Sequence, residues 1–114
     1  MAGTRALRIT RKRALTGMLI PYYIVLNQHR DEFFARIEEN DVCGVSAIRN
    51  GKTLDLRVST DETLLFVAAF TSTGPAYSEE ILLPAGNADL AFLLLTKYDA
   101  WSGSSYQLSP VPFV

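Results

Sequence analysis

Cys43 and His29 are the residues whose types could do covalent chemistry, because a cysteine beside a histidine base is a common nucleophile. The chain contains one cysteine and one histidine. In the segment CGVSAIRNGKTLDLRVS, however, strand alternation places Cys43 on the same face as Val45 and Ala47. A buried cysteine behaves as a small hydrophobic side chain. The sequence therefore predicts an unreactive Cys43 and a protein that is not an enzyme.

Metal and phosphate sites lack the residues that they require. A zinc site takes about four Cys, His or carboxylate ligands, which one cysteine and one histidine cannot supply. The run Glu38-Glu39-Asn40-Asp41 offers oxygen ligands without the spacing of a calcium loop, so a solvated acidic turn is the favoured interpretation. Glycine-rich phosphate loops and Gly-x-Ser-x-Gly elbows are absent from the sequence. We expect neither a metal nor a cofactor.

The segment KYDAWSGSSYQ has the composition of a binding loop. Tyr98, Trp101 and Tyr106 surround a run of serine and glycine, which combines rigid aromatic contact area with small polar groups. These three residues are our candidate site for a carbohydrate or a peptide. The alternative is that Trp101 closes the open end of a hydrophobic core, with its ring N–H bonded to a partner.

A second candidate site is basic. The first 13 residues hold five bases and no acid, and the remainder holds six bases and twelve acids. Arg8, Arg11, Lys12 and Arg13 could therefore meet phosphate or an anionic surface. The alternative is a solvated edge strand whose charges discourage edge-to-edge pairing. No aromatic residue is interleaved to stack on bases, so a nucleic-acid partner is not expected.

The elements that would hold these sites are mostly strands. Asn50-Gly51 is a strong signal for a two-residue hairpin turn, and it predicts that Ala47 faces Leu54 and that Cys43 faces Val58. Further strands are predicted at 6–10, 22–27, 64–70, 77–83 and 88–96, with turn residues between them. One short helix near 31–40, DEFFARIEEN, is the exception, with strand as its alternative. About seven short strands predict an all-β sandwich or barrel.

These patterns also resemble a known group of domains. An aromatic strand ends at Asn27, Asn50-Gly51-Lys52 turns into an alternating strand, and Leu83-Pro84-Ala85-Gly86 leads into an aliphatic strand. Over about residues 5 to 97 the chain resembles small bacterial β-sandwich domains of the PEGA and carboxypeptidase-regulatory kind, although Asn87-Ala88 replaces the usual basic or histidine step. The resemblance implies an immunoglobulin-like or prealbumin-like antiparallel sandwich used for binding or assembly, with no catalytic residues.

Length and hydropathy set the organisation. The 114 residues suit a single domain, 1–114. Pro84 and Gly86 interrupt the most apolar stretch, so we expect no membrane-spanning helix. The segment RKRALTGMLIPYYIVLNQH imitates a secretion signal, but Pro21 interrupts it and no small-residue cleavage site follows. We therefore expect a cytoplasmic protein.

Self-association is a further expectation. The net charge is only −1 and the mean hydropathy is +0.12, so little charge keeps copies apart. Leu93, Leu94 and Leu95 alternate in direction, and one of the two faces must be covered from outside a simple sandwich. The sequence predicts a homodimer or a protein partner on that face, unless residues 31 to 40 form a lid over it.

Overall fold

The computed structural model describes residues 3–15, 19–38, 45–71, 74–99, 101 and 103–114. These residues form nine strands and one short helix, which confirms the expected all-β sandwich with a helix near 31–40. In chain order the elements are β1 (Thr4–Arg11), β2 (Tyr22–Leu26), α1 (Arg30–Glu38), β3 (Ser46–Ile48), β4 (Thr53–Ser59), β5 (Thr63–Thr71), β6 (Gly74–Tyr77), β7 (Ile81–Leu83), β8 (Leu90–Asp99) and β9 (Gly103–Val111).

The strands form two sheets. The first has the order β4-β1-β8-β9 and is called the β8 sheet; the second has the order β3-β2-β5-β6, with β7 also on β5, and is called the β5 sheet. Nine strands arise where about seven were expected, because the 77–83 segment divides into β6 and β7 and the proline-containing tail forms β9. β1 and β8 run parallel, which differs from the expected antiparallel pairing.

The core lies between the sheets and follows from strand alternation. Leu7 and Ile9 of β1 are fully buried, as the alternating pattern predicts. Phe92 and Leu94 extend the same layer on β8, and Val67 of β5 packs against it from the second sheet. The consecutive leucines of β8 therefore divide as expected, with Leu94 inside and its two neighbours on the outer face.

Helix α1 forms a third layer over the outer face of the β5 sheet. The ring of Phe33 meets the ring of Phe66 edge-on, with centroids 5.7 Å apart, and both side chains are buried. Val25 and Ala68 complete this second cluster. The contact explains why the segment LLFVAAF of β5 is apolar on both faces: one face meets the other sheet and one meets the helix.

The Asn50-Gly51 turn forms, but the expected hairpin does not. Lys52 N donates to Arg49 O at 3.1 Å. The strands on either side then separate: Ala47 pairs with Tyr23 in the β5 sheet, and β4 pairs with β1 in the β8 sheet. The predicted register is wrong, and Cys43 lies outside the described residues.

The backbone at this turn gives the physical reason. A hairpin-compatible type I′ turn needs positive φ at both central residues. Here Gly51 has φ of 72°, whereas Asn50 is not among the residues with positive φ. That pattern belongs to turns that splay their flanking strands, so the chain crosses from one sheet to the other.

Candidate functional site

Several loops meet at one end of the sandwich, which we call the loop end: residues 12–15 and 19–21, the β3–β4 turn, and the tip of the β8–β9 hairpin. β1 ends at Arg11, opposite Leu94. Ala14 N donates to Asn50 Oδ1 at 3.0 Å, which ties the segment after β1 to the β3–β4 turn. The hairpin continues five residues past Leu94 to Asp99, a projection of roughly 16 Å at about 3.3 Å per residue.

The three candidate aromatic residues do not share one surface. Tyr98 and Trp101 lie at the hairpin tip and are 66% and 98% exposed. Tyr106 is buried, and its ring centroid lies 4.4 Å from that of Tyr22. Burial raises the pKa of Tyr106 above its usual range, so this phenol stays protonated. Trp101 therefore does not close the core, whereas Tyr22 and Tyr106 both belong to it.

Two exposed aliphatic residues at the loop end were not identified from the sequence. Leu15 is 87% exposed and Leu19 is 83% exposed. They lie in the connection between β1 and β2, where the apolar residues of the sequence do not recur at the spacing of a strand or a helix. They could have been recognised in the sequence as large apolar residues inside a connecting segment, where polar residues are usual.

The candidate basic residues are divided by the alternation of β1. Arg11 points into the core and is fully buried. Its Nη1 donates to the carbonyl oxygens of Ile20 and Ile48, each at 2.9 Å, and its guanidinium lies 3.3 Å from the ring centroid of Tyr22. Burial lowers the pKa of Arg11, and the nearby phenol of Tyr22 opposes that shift. Arg11 therefore acts within the core and does not face an external anion.

The other three bases lie outside. Arg8 bonds Asp55 at 2.7 Å and the Val114 carbonyl at 2.6 Å, and it covers the Phe113 ring at 4.4 Å. Lys12 and Arg13 are exposed and line a cavity of about 250 Å³ at the loop end. The other lining residues are Ala14, Leu95, Thr96 and Lys97.

A second cavity, of about 470 Å³, lies where the edges of the two sheets meet, and we call it the edge cleft. Ser78, after β6, forms a parallel bridge to Tyr106 of β9 across this boundary. The residues lining the cleft include Tyr77, Ser78 and Ile81 from one side and Lys97, Tyr106 and Gln107 from the other. Tyr106 thus belongs to this cleft, whereas Tyr98 and Trp101 belong to the hairpin tip.

The outer face of the β8 sheet keeps an apolar stripe. Leu93 and Leu95 are partly exposed, and Val111 of the neighbouring strand is 40% exposed. Helix α1 packs against the other sheet. The alternative prediction, that this segment forms a lid over the stripe, is therefore wrong for residues 31 to 38.

The single histidine forms an ion pair with a glutamate. His29 Nδ1 lies 2.7 Å from Glu80 Oε2, and Arg30 Nε lies 3.6 Å from the same carboxylate. The hydrogen bond and the charge of Glu80 raise the pKa of His29 above its usual 6.5. This arrangement links the start of α1 to the segment before β7.

We expect the His29 ring to titrate above pH 6.5 and to return to its ordinary range in Glu80→Gln. Because the folded pKa is raised, the stabilisation from this pair is fully present below pH 6.5. It is lost as the pH rises through the folded pKa. His29 is the single histidine, so proton NMR of its ring follows the titration directly. Glu79→Gln is the matched control, and a titration equal in wild type and Glu80→Gln would contradict the pair.

The described residues offer neither a metal-binding cluster nor a membrane-spanning helix. No group of three or more His, Cys, Asp or Glu side chains suited to a metal occurs there. None of the described helices is both long and apolar enough to cross a membrane. No protein-family model, curated protein or solved structure matches the chain.

Proposed function

We propose that the chain is a non-catalytic interaction module that self-associates, or binds a partner protein, through the outer face of the β8 sheet. The observation that supports this proposal is the apolar stripe of Leu93, Leu95 and Val111, which stays partly exposed. A cytoplasmic location is part of the proposal, and a chain with a single cysteine, which can form no intrachain disulfide, accords with it.

Uncovered apolar area and weak charge repulsion both favour association through this face. Exposed leucines gain free energy when a second apolar surface removes them from water. A contact of standard size buries about 800 Å² per partner, which a four-stranded sheet face can provide. The net charge of −1 opposes the approach of a second copy only weakly.

We expect sedimentation velocity to show a concentration-dependent dimer that Leu93→Lys shifts to monomer. A lysine on each copy at a two-fold contact brings like charges together and leaves them desolvated. Leu82→Lys is the matched control, because Leu82 is 57% exposed and lies on the other sheet. A wild-type chain that remains monomeric at high concentration and binds no protein through this face would contradict the proposal.

The second candidate is a small-ligand domain that binds a carbohydrate or a peptide in the edge cleft. It is favoured by the cleft volume of about 470 Å³ and by a lining that includes Tyr77 and Tyr106, since aromatic rings with nearby polar groups suit such ligands. NMR titration with maltotriose and with an extended hexapeptide tests it. Shifts at Ser105 and Gln107 that vanish in Tyr77→Ser support it, and an absence of shifts contradicts it.

A further inference from the structure

The loop end carries large apolar side chains on two separate segments. Leu15 and Leu19 belong to the β1–β2 connection, and Tyr98 and Trp101 belong to the β8–β9 hairpin; all four are at least 66% exposed. They project from loops instead of lining a groove. Tryptophan and tyrosine are enriched where a bilayer meets water, because each combines an apolar ring with a polar group.

Basic side chains lie on the same two segments as these apolar residues. Lys12, Arg13 and Lys97 line the cavity of about 250 Å³ beside the hairpin. Arg49 and Lys52 are exposed at the adjoining β3–β4 turn, which is held by the hydrogen bond from Arg11 N to Lys52 O. No acidic side chain lines this cavity; by sequence, the hairpin also carries Asp99. The cavity therefore presents three positive charges to an approaching anion.

The opposite end of the sandwich carries more exposed acids than bases, although Arg57 of β4 also lies there. Asp61 and Glu62 lie exposed in the β4–β5 connection, and Asp89 lies exposed just before β8. Asp89 Oδ1 accepts a hydrogen bond from Ala6 N near the start of β1, which fixes its place at that end. A molecule with bases at one end and acids at the other orients in the field of an anionic surface, bases first.

We infer that the loop end docks on the surface of a bilayer that contains anionic phospholipid. Trp101, Leu15 and Leu19 enter the interfacial region, and the bases of the 250 Å³ cavity contact headgroup phosphates. The combination distinguishes this partner from others. Leucines on loops cannot stack on bases as a nucleic-acid site requires, whereas apolar insertion together with basic contacts is the ordinary basis of peripheral membrane binding.

The inference does not rest on self-association: Leu15, Leu19 and Trp101 lie outside the apolar stripe, although Leu95 of that stripe also lines the cavity.

Fluorescence and co-sedimentation with vesicles test the inference. Trp101 is the single tryptophan, so its emission reports on this site alone. With vesicles of phosphatidylcholine and phosphatidylserine we expect a blue shift and quenching by brominated lipid; with phosphatidylcholine alone we expect neither. Raising the ionic strength from about 0.1 M to about 1 M shortens the screening length from ~10 Å to ~3 Å and should release the protein.

Matched variants separate the loop end from the rest of the surface. Lys12→Gln with Lys97→Gln should weaken binding roughly thirtyfold, from the usual contribution of two bases near an anionic bilayer. Arg30→Gln with Arg57→Gln removes the same net charge elsewhere and should bind like wild type. Leu15→Ser should weaken binding, and Leu82→Ser should not. Circular dichroism confirms that each variant is folded.

Several results would overturn the inference. These are equal affinity for neutral and anionic vesicles, loop-end variants that bind as tightly as their controls, and vesicle binding without a change in Trp101 emission. Binding of soluble glycerol phosphate without vesicle binding would assign the cavity to a free phosphate. Tight binding of an oligonucleotide or a protein at this end, with no vesicle binding, would assign the surface to that partner instead.

Discussion

Arg11→Ala is expected to reduce the free energy of unfolding by about 3 kcal/mol, because one buried and one partly buried carbonyl oxygen lose a charged donor. Arg11 is fully buried at the end of β1. Its guanidinium bonds the carbonyls of Ile20 and Ile48 and lies over the ring of Tyr22. The substitution leaves a cavity in place of a planar group that joins β1, β2 and β3. Thermal unfolding should move down by roughly 12 °C.

Arg8→Ala is the matched control for this prediction. Arg8 lies on the same strand three residues earlier but points outward, and its pair with Asp55 is partly exposed. Exposed pairs of this kind contribute about 1 kcal/mol or less. Arg11→Lys should fall between wild type and Arg11→Ala, because an ammonium keeps the charge but not the planar, two-carbonyl contact. Equal losses for Arg8→Ala and Arg11→Ala would contradict the buried role of Arg11.

Phe33→Ala is expected to cost about 3 kcal/mol, which is the lower end of the usual range for a buried phenylalanine. Phe33 joins α1 to the β5 sheet through Phe66, at 5.7 Å, and Phe70, at 6.4 Å between ring centroids. Without it the helix loses its buried anchor, and the apolar outer face of the β5 sheet becomes accessible. Chemical denaturation measures the loss, and increased binding of the dye ANS should report the exposed face.

Phe113→Ala is the control, since Phe113 is a half-buried ring in the tail over Arg8. It should cost clearly less than Phe33→Ala. Unchanged stability and unchanged ANS binding in Phe33→Ala would mean that α1 does not cover the β5 sheet as a third layer.

Much of the secondary structure could be predicted from local patterns. The alternation of Leu7 and Ile9, the aromatic strand from Tyr22 and the apolar run at 64–70 each appear as strands where expected. The short helix after His29 is also present. These features depend on the spacing of apolar side chains and on nearby turn residues, both of which can be seen within a few residues of sequence.

The candidate site was predicted less well. Tyr98 and Trp101 are exposed together at a hairpin tip, but Tyr106 is buried against Tyr22. Among the bases, strand alternation puts Arg11 on the same face as Leu7 and Ile9. That pattern was overlooked because Arg11 belongs to a run of basic residues. Leu15 and Leu19 carry no period, so their exposure could not be predicted from a local pattern.

The sequence by itself determined that the chain builds an all-β sandwich with one short helix, because strand period, turn residues and helix signals act over a few residues. The tertiary structure alone decided which strands pair. The Asn50-Gly51 turn connects strands of different sheets, because Asn50 does not take the positive φ of a hairpin turn, and the packing of distant strands selects that backbone. The same long-range packing placed α1 on the β5 sheet, buried Arg11 beneath Tyr22, and left Leu15, Leu19 and Trp101 in solvent at one end.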